Sequence, residues 1–403
     1  MPELSTRTLT AADYDAFHEL FADAFLDEPH EVRREAHRDV FDGDRAHGVF
    51  DGPEMVGAGE HMGARIALPG GRDLPLAAVT SVGVRPGHRR RGILTEVMRS
   101  QLGSLHGSGE PVAGLVSSEG GIYGRFGYGV ATEDAVLTLP RGAAFRSTVD
   151  VDGRPVRELD PAGAVEFARE LYRPMWTQRP GWLAHDANWE TRIRNESGFR
   201  GGAGALRFAA HPDGYAFYRP KPAWRADGPH YGLRVLELVA TTPSAYAALW
   251  RYLLDTDLVT EVVWPRAAVD EPVLSMLDNP RSAERRVLDG LWLRLVDLDR
   301  ALAARPYSVP VDVVLDVTDE VCPWNAGRWR LRAGEDGTAE VARTDAEPGL
   351  ALGVSDLASA FLGGTSLTAL AAAGRVADLE PGALRATTRA FAAERAPHCP
   401  RNF

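Results

Sequence analysis

The chain has 403 residues, which is too long for one ordinary hydrophobic core and predicts two or three domains. Apolar residues at 44% and charged residues at 25% are typical of a globular protein rather than of a disordered or membrane-embedded one. The formal net charge of −11 disfavours nucleic acid and acidic membranes as partners, and it favours a cationic substrate through long-range attraction.

Signals for membranes, metals and disulfides are weak in this sequence. The first residues contain no apolar signal core, and no apolar run approaches the ~18 residues that a membrane span needs. Cys322 and Cys399 show neither the paired spacing of a metal site nor a disulfide framework. We therefore expect a cytoplasmic protein that binds no metal.

Apolar periodicity predicts a helix and several strands at the start of the chain. Residues 11–26 are typical of an amphipathic helix with an apolar stripe of Tyr14, Phe17, Leu20, Phe21, Ala24 and Phe25. Antiparallel strands are expected at residues 49–50 and 55–68, around an Asp51-Gly52 turn. Another strand ends at Val84, and residues 133–139 are expected to close this first domain. The alternation predicts a mixed sheet.

A basic turn that contains a glycine lies between the strand ending at Val84 and the next helix. The turn includes Arg89, Arg90, Arg91 and Gly92, and a helical pattern begins at Ile93. A helix N-terminus offers unpaired N–H groups to an anion, and arginine adds fork-shaped donors. Gly92 removes a Cβ atom where an anion must come close to the backbone. We interpret the turn as a site for the pyrophosphate of a bulky cofactor.

The rest of the chain repeats the alternation of strands and helices. After a glycine-rich change of unit at residues 150–155, the pattern predicts a helix at 161–176, a hairpin at 208–218, a strand at 231–240, a helix at 244–254 and a strand at 261–264. No basic turn follows the strand at 231–240, so we expect one cofactor site per chain. From residue 290 the pattern predicts strands at 291–296, 311–317, 327–333 and 338–343, and alanine-rich helices near 354–362, 367–373 and 384–395.

Two motifs resemble those of a known family. Residues 82–93, VGVRPGHRRRGI, resemble the acetyl-CoA motif of the GCN5-related N-acetyltransferases (GNAT). Residues 118–129, SEGGIYGRFGYG, resemble the signature of the Eis (enhanced intracellular survival) acetyltransferases. The chain length and the terminal Phe403 also match, so the resemblance covers the whole chain.

The resemblance implies an α/β fold with mixed sheets and three domains. Tandem GNAT domains are expected over residues 1–146 and 147–290, the second one degenerate, followed by a sterol-carrier-like domain over 291–403. It also implies acetyl-CoA as the co-substrate and assembly into a homohexamer.

The same resemblance nominates binding residues. Splaying of two parallel strands would free backbone groups of Val82, Gly83 and Val84 for the pantetheine arm. The pyrophosphate would contact Arg90, Arg91, Gly92, Ile93, Leu94 and Thr95. Ser118 and Glu119 end the second strand at the carboxyl edge, where ligands bind in such sheets. Asp27 and Glu28 follow the first helix and are expected to bind a substrate ammonium, the alternative being a solvated helix end.

Tyr123 is the candidate general acid, because a phenol with an ordinary pKa of ~10 is protonated at neutral pH. Tyr128 is the competing candidate. His88 and His106 are expected to be structural, and no serine or cysteine stands out as a nucleophile, so direct attack on the thioester is expected. The resemblance implies that the carboxylate of Phe403 accepts the proton of the substrate, whereas most chain termini are frayed.

These residues predict an acetyl-CoA-dependent N-acetyltransferase. Its expected acceptors are primary amines of cationic small molecules, such as aminoglycosides, or lysine side chains. A carrier of lipids or other hydrophobic molecules, working through residues 291–403, is the alternative.

Overall fold

A computed structural model describes residues 4–26, 31–186, 189–190, 193 and 202–403. It divides into two compact units: unit 1 comprises Met1–Thr132, Leu291–Glu394 and Asn402–Phe403, and unit 2 comprises Glu133–Gly290 and Arg395–Arg401. Asp27 and Glu28 lie outside the described residues, so their expected role stays a prediction. Within the described ranges, no helix is long and apolar enough to cross a membrane.

The described strands and helices are numbered in chain order. The strands are β1 (Leu4–Thr8), β2 (Ala46–Asp51), β3 (Glu54–Ala67), β4 (Asp73–Val84), β5 (Val112–Val116), β6 (Gly129–Val130), β7 (Glu133–Pro140), β8 (Arg157–Glu158), β9 (Arg207–His211), β10 (Gly214–Lys221), β11 (Trp224–Arg225), β12 (Gly228–Pro229), β13 (Tyr231–Ala240), β14 (Val259–Ala268), β15 (Glu284–Asp289), β16 (Leu291–Leu295), β17 (Val311–Thr318), β18 (Gly327–Ala333), β19 (Ala339–Arg343), β20 (Leu350–Gly353) and β21 (Val376–Asp378). The helices are α1 (Tyr14–Phe25), α2 (Glu31–Arg38), α3 (Ile93–Leu105), α4 (Pro161–Tyr172), α5 (Pro243–Leu254), α6 (Val273–Met276), α7 (Leu298–Ala304), α8 (Val354–Ala360), α9 (Leu367–Ala372) and α10 (Ala383–Phe391).

Sheet 1 is the centre of unit 1. Its seven strands have the order β1-β2-β3-β4-β5-β16-β6, and β4 and β5 are its one parallel pair. Consecutive residues of a strand point to opposite faces, and β2 shows this at Val49 and Phe50. Phe50 packs in a cluster with Phe17 of α1, whereas Val49 packs with Ile93 of α3. The helices α1 and α3 therefore cover opposite faces of the sheet.

The first helix is shorter than predicted, and its apolar stripe is incomplete. A 3₁₀ turn, Ala11–Asp13, precedes α1, and Leu26 ends the helix with φ of +55°. Tyr14, Phe17 and Leu20 are buried as expected. The prediction is wrong for Phe25, which is 45% exposed at the helix end and whose ring centroid lies 4.5 Å from that of Phe21.

Unit 1 also contains a second sheet, sheet 2, with the order β19-β18-β17-β20-β21. Its strands alternate buried and exposed residues, as a sheet with one covered face requires. Leu315 of β17 and Leu331 of β18 are fully buried, and so are Leu357 and Phe361, which follow β20. The strands and helices predicted beyond residue 298 are confirmed in this region.

Unit 2 is built on a third sheet, sheet 3, with the order β15-β7-β14-β13-β10-β9-β8. Its parallel pair is β13 and β14, joined through α5, which repeats the strand–helix–strand order of β4, α3 and β5. Trp250 of α5 is fully buried in the core of this unit. The predicted hairpin is confirmed by the pairing of β9 with β10, and its turn lies between His211 and Gly214.

Two strands belong to sheets other than the ones predicted. The strand at Glu133–Pro140 was expected to close the first domain, but it pairs with β14 and β15 in sheet 3. The strand Leu291–Leu295 was assigned to the last domain, but it pairs with β5 and β6 in sheet 1. Both predictions are wrong because a local apolar pattern identifies a strand without identifying its partner. The predicted domain boundaries at residues 146 and 290 stay predictions.

Candidate active site

The parallel strands β4 and β5 separate in the middle of sheet 1. Their Cα pairing covers Leu76–Val112, Ala77–Ala113 and Ala78–Gly114. Beyond Ala78, however, β4 continues to Val84, and β5 continues to Val116 while pairing with β16. The separation leaves a slot beside the backbone of residues 79–84. Val82, Gly83 and Val84 lie on this stretch of β4 beyond its pairing with β5, and their contact with a pantetheine arm stays a prediction.

A β-bulge lies at the same place on β4. Thr80 is opposite Glu60 and Gly83 is opposite Ala58, so two residues of β4 face a single residue of β3. One of these two residues, Ser81, has φ of +50°, which is uncommon for a residue other than glycine. Bulges recur next to active sites because they re-aim side chains and interrupt pairing.

The turn after β4 has the geometry of an anion site. Gly92 is the N-cap of α3 with φ of +82°, and a Cβ atom added there would meet nothing within 4 Å. The first helical hydrogen bond runs from Glu96 N to Gly92 O at 3.2 Å, so the N–H groups of Ile93, Leu94 and Thr95 precede the helical hydrogen bonds. Backbone donors, an open approach and the helix dipole together fit a diphosphate.

The three arginines of the turn differ in their partners. Arg91 donates from Nη2 to Asp51 Oδ2 at 3.1 Å, and His88 lies 3.8 Å from the same oxygen. Arg89 makes one long bond, to Ala24 O at 3.4 Å. Arg90 is exposed, with φ of +63°, and forms no ion pair with a described residue. Among the three guanidinium groups, that of Arg90 is the one most available to a phosphate.

The second motif forms a compact turn after β5. Ser118 and Glu119 are exposed, and Ile122 N donates to Glu119 O at 3.2 Å. A 3₁₀ turn at Tyr123–Phe126 follows and buries the ring of Tyr123 in a cluster with Val79 and Met98. Burial, with a smaller contribution from Glu119, raises the pKa of Tyr123 to about 12. The phenol is therefore protonated at neutral pH.

Tyr128, the competing acid, is sealed inside unit 1. It is 1% exposed, and its hydroxyl is buried without a hydrogen-bond partner among the described residues. Burial raises the pKa of Tyr128 well above its ordinary value. Its ring meets that of Tyr123 edge-on at 5.9 Å. Tyr128 therefore supports Tyr123, and the geometry favours Tyr123 as the proton donor.

The last residue of the chain lies against the bulged strand. Thr80 Oγ1 donates a hydrogen bond to Phe403 O at 2.9 Å, and both residues are half-buried. Thr80 is a sequence position that the analysis of motifs missed. The available signal was a polar Thr80-Ser81 pair in the middle of an otherwise apolar strand.

A buried polar chain begins opposite Thr80. Glu60, its cross-strand partner on β3, is 4% exposed, and its Oε1 lies 3.0 Å from His37 Nε2. His37 Nδ1 lies 3.3 Å from the hydroxyl of Tyr14. These three residues were also missed, although a glutamate inside a strand of small residues could have marked the place.

The two histidines tested as bases have structural partners. His88 is near Asp51, as described above. His106 Nδ1 lies 2.5 Å from Asp297 Oδ1, and its ring stacks on Trp324 at 4.3 Å. These contacts agree with the expectation that both histidines are structural.

The equivalent helix of unit 2 has a closed N-terminus. Thr242 caps α5, and its side chain accepts a hydrogen bond from Ala245 N at 3.2 Å. In contrast, no side-chain hydrogen bond caps α3 at Gly92. A capped helix end without arginines is a poor anion site. The difference supports one cofactor site per chain.

One cluster of unit 2 has side chains of metal-ligand type. The ligand atoms of Asp152, His211 and Asp213 lie within 4.8 Å of one another. His211 Nδ1 accepts a hydrogen bond from Asp213 N at 3.1 Å, so a neutral ring carries its proton on Nε2, the atom nearest Asp152. Arg154 already bonds both carboxylates. This cluster fits an internal ion-pair network better than a metal ion.

Family models and known proteins agree with this architecture. A model of the GNAT acetyltransferase domain matches residues 5–131, a second GNAT model matches 181–295, and a sterol carrier protein model matches 298–400. The fold is thus a mixed α/β one with two GNAT domains and a C-terminal sterol-carrier-like domain. GNAT acetyltransferases use acetyl-CoA as their co-substrate.

Full-length relatives carry the assignment further. The chain is 39% identical over 406 residues to an N-acetyltransferase of Streptomyces avermitilis, described as uncharacterized, covering 98% of this chain and 99% of that one. It is 36% identical over 361 residues to the N-acetyltransferase Eis of Mycobacterium bovis, covering 86% and 85%. The crystal structure of Eis1 from Mycobacterium abscessus superposes with a TM-score of 0.85 at 33% identity and covers 100% of both chains. This chain therefore belongs to the Eis family of GCN5-related N-acetyltransferases.

Proposed function

We propose that this acetyltransferase transfers the acetyl group of acetyl-CoA directly to a primary amine, with Tyr123 as general acid and the Phe403 carboxylate as general base. The observation that carries the proposal is the 2.9 Å hydrogen bond from Thr80 Oγ1 to Phe403 O. It fixes a terminal carboxylate at the strand where β4 and β5 separate. A frayed terminus would have no such partner.

The two groups serve opposite ends of one reaction. The amine nitrogen attacks the thioester carbonyl, the C–S bond breaks, and an N–C bond forms. Before the attack, the carboxylate of Phe403 takes a proton from the substrate ammonium, directly or through a water, and passes it to solvent; as the tetrahedral intermediate collapses, the nitrogen gives a second proton to the same carboxylate. Tyr123 gives its proton to the departing thiolate and regains one from solvent. Burial raises the proton affinity of a thiolate just as it raises that of the phenol, so the transfer is feasible despite the raised pKa of Tyr123.

The binding residues follow from the same geometry. The N–H groups at the start of α3, together with Arg90, would hold the pyrophosphate, and Arg91 would contribute once it exchanges Asp51 for a phosphate. Backbone groups of Val82–Val84 would pair with the pantetheine arm in the slot. Ser118 and Glu119 border the slot at the end of β5.

The acceptor class follows from charge. A carboxylate at the point of attack and the net charge of −11 favour cationic acceptors, such as aminoglycoside-like molecules or lysine side chains. The carrier function is not favoured, because full-length relatives of this chain are named N-acetyltransferases. Assembly into a homohexamer stays a prediction that sedimentation can test.

Two variants test the mechanism in a thiol-release assay with acetyl-CoA and a panel of polyamines, aminoglycosides and lysine peptides. Tyr123→Phe removes one proton, and general acid catalysis contributes about 10²–10⁴ in rate, so turnover should fall by that order. Deletion of Phe403, or a C-terminal tag, should abolish turnover while acetyl-CoA affinity and thermal stability persist. Undiminished turnover in the tagged protein on its best amine rejects the role of the carboxylate.

A further inference from the structure

Glu60 places a second carboxylate beside that of Phe403. Residues directly opposite in an antiparallel pair have Cβ atoms about 4.5–5.5 Å apart on the same face. Glu60 and Thr80 are such a pair, and Thr80 holds the Phe403 carboxylate. A Cβ atom added at Gly83, further along β4 on the same face, would lie 2.8 Å from Ala24 Cβ and 3.4 Å from Leu20 Cδ2 of α1. Both carboxylates therefore lie on the face of sheet 1 that α1 covers.

One oxygen of Glu60 is open to a ligand. Its Oε1 is engaged by His37 Nε2 at 3.0 Å. Its other oxygen, Oε2, has no hydrogen-bond partner among the described residues. Oε2 is also absent from the set of fully buried atoms without a partner, so it is accessible to solvent. A carboxylate accepts about four hydrogen bonds, and a buried charge is costly unless it receives them. The small exposed part of Glu60 thus includes Oε2, an oxygen without a hydrogen-bond partner among the described residues.

One basic side chain contacts Glu60 among the residues that the structure describes. Tyr14 gives its only proton to Arg34 O at 2.6 Å, so its lone pairs face His37 Nδ1 at 3.3 Å. His37 thus lies between two oxygens, the hydroxyl of Tyr14 and Oε1 of Glu60. Arg34 and Arg38 of α2 are already paired with Asp15. Among the described residues, His37 is therefore the basic side chain that contacts Glu60.

We propose that Glu60 is a second ammonium anchor of the acceptor site, which selects amines that carry another ammonium a few bonds from the one acetylated. Short diamines and polyamines have this chemistry. One ammonium lies at the Phe403 carboxylate and is acetylated, and the other donates to Glu60 Oε2. The inference rests on the proposed function, because the Phe403 carboxylate defines where the reacting amine lies.

Putrescine and n-butylamine test this anchor, because they match in carbon chain and differ in the second ammonium. Wild-type protein is expected to prefer putrescine in kcat/KM well beyond the statistical factor for two equal ends. Glu60→Gln keeps the size of the side chain and an acceptor for His37. It is expected to raise KM for putrescine about tenfold, the worth of one charge-assisted hydrogen bond, and to raise KM for butylamine by a much smaller factor.

A second variant separates this role from a structural one. His37→Gln keeps a donor for Glu60 Oε1 and leaves the carboxylate in place, so the preference for putrescine over butylamine should persist in this variant. A purely structural Glu60 would instead give equal losses for both amines in both variants. Thermal midpoint and acetyl-CoA affinity verify that each variant is folded.

The outcomes distinguish this inference from the proposed function. Equal use of both amines by the wild type, or a putrescine preference that survives in Glu60→Gln, overturns the anchor and leaves the acetyltransferase mechanism intact. Turnover that survives deletion of Phe403 overturns the mechanism instead. If neither amine is turned over, calorimetry measures the affinity of both amines for the CoA-bound protein. Equal putrescine affinity in the wild type and in Glu60→Gln would then overturn the anchor.

Discussion

A buried ion pair beneath the Tyr123 turn should be essential for the stability of unit 1. Arg294 of β16 is fully buried and donates to both oxygens of Asp319 at 2.8 and 2.7 Å. The same carboxylate accepts from the backbone N–H groups of Val321 and Cys322 and from the side chain of Asn325. Removing Asp319 therefore leaves a buried guanidinium and three donors without their acceptor.

The expected cost follows from these contacts. Breaking a buried pair by removing one partner costs about 3–5 kcal/mol, because the remaining charge is uncompensated. For a unit of this size, each kcal/mol lowers the thermal midpoint by about 2–4 °C, so Asp319→Ala should lower it by about 6–20 °C. Replacing both partners with apolar residues, in Arg294→Met with Asp319→Leu, should restore part of the loss, because it removes the unpaired guanidinium but leaves the other three donors without this acceptor.

The chain offers a matched control. Asp312 and Arg330 form a pair of similar geometry, with distances of 2.7 and 2.7 Å, but their side chains are 47% and 39% exposed. Surface pairs contribute about 0–1 kcal/mol, so Asp312→Ala should shift the midpoint by no more than a few degrees. Thermal unfolding at one scan rate compares the variants. Equal shifts for Asp319→Ala and Asp312→Ala, or a double variant as weak as the single one, would refute the reasoning.

Two further predictions concern the glycine at the start of α3 and two buried histidines, His47 and His61. Gly92→Val should weaken acetyl-CoA binding, because it places a branched side chain at φ of +82° where the anion approaches the backbone. Gly87→Ala is the control and should bind normally, because a Cβ atom there meets nothing within 4 Å. Calorimetry with acetyl-CoA compares the two variants. Burial lowers the pKa of His47 to about 4 and that of His61 to about 3, so their neutral forms stabilise the fold above the unfolded value of ~6.5. Stability should fall as pH drops from there toward 4, by about 1.4 kcal/mol per pH unit and histidine, and urea unfolding of His47→Gln should show a shallower dependence.

Local chemistry made the cofactor turn predictable. Neighbouring residues determine each of its parts: an apolar strand, a basic turn with Gly92 and an amphipathic helix. The structure forms each of these elements as predicted. The turn at Tyr123 was equally local. Such features need no knowledge of what the rest of the chain does.

Contacts between residues that are distant in the chain could not be predicted from the sequence. The pairing of β16 with β5 joins Leu291 to Val116, across a whole intervening unit. The contact between Glu60 and His37 needs α2 to lie over β3, which no periodicity specifies. The family resemblance drew attention to Phe403, but only the fold supplied its partner, Thr80.

The bulge in β4 explains how one strand serves two faces with different tasks. In a regular strand, Thr80 and Val82 would share a face, because side chains alternate with a period of two. The extra residue at Ser81 shifts this phase. Val82 and Val84 now both pack toward α3, whereas Gly83 falls on the face of Thr80, where a Cβ atom would lie 2.8 Å from that of Ala24 in α1. Gly83 is therefore a glycine because α1 comes so close, and not only because a cofactor needs its backbone. The bulge thus lets apolar side chains support the cofactor helix while a polar one, Thr80, holds the terminal carboxylate on the opposite face.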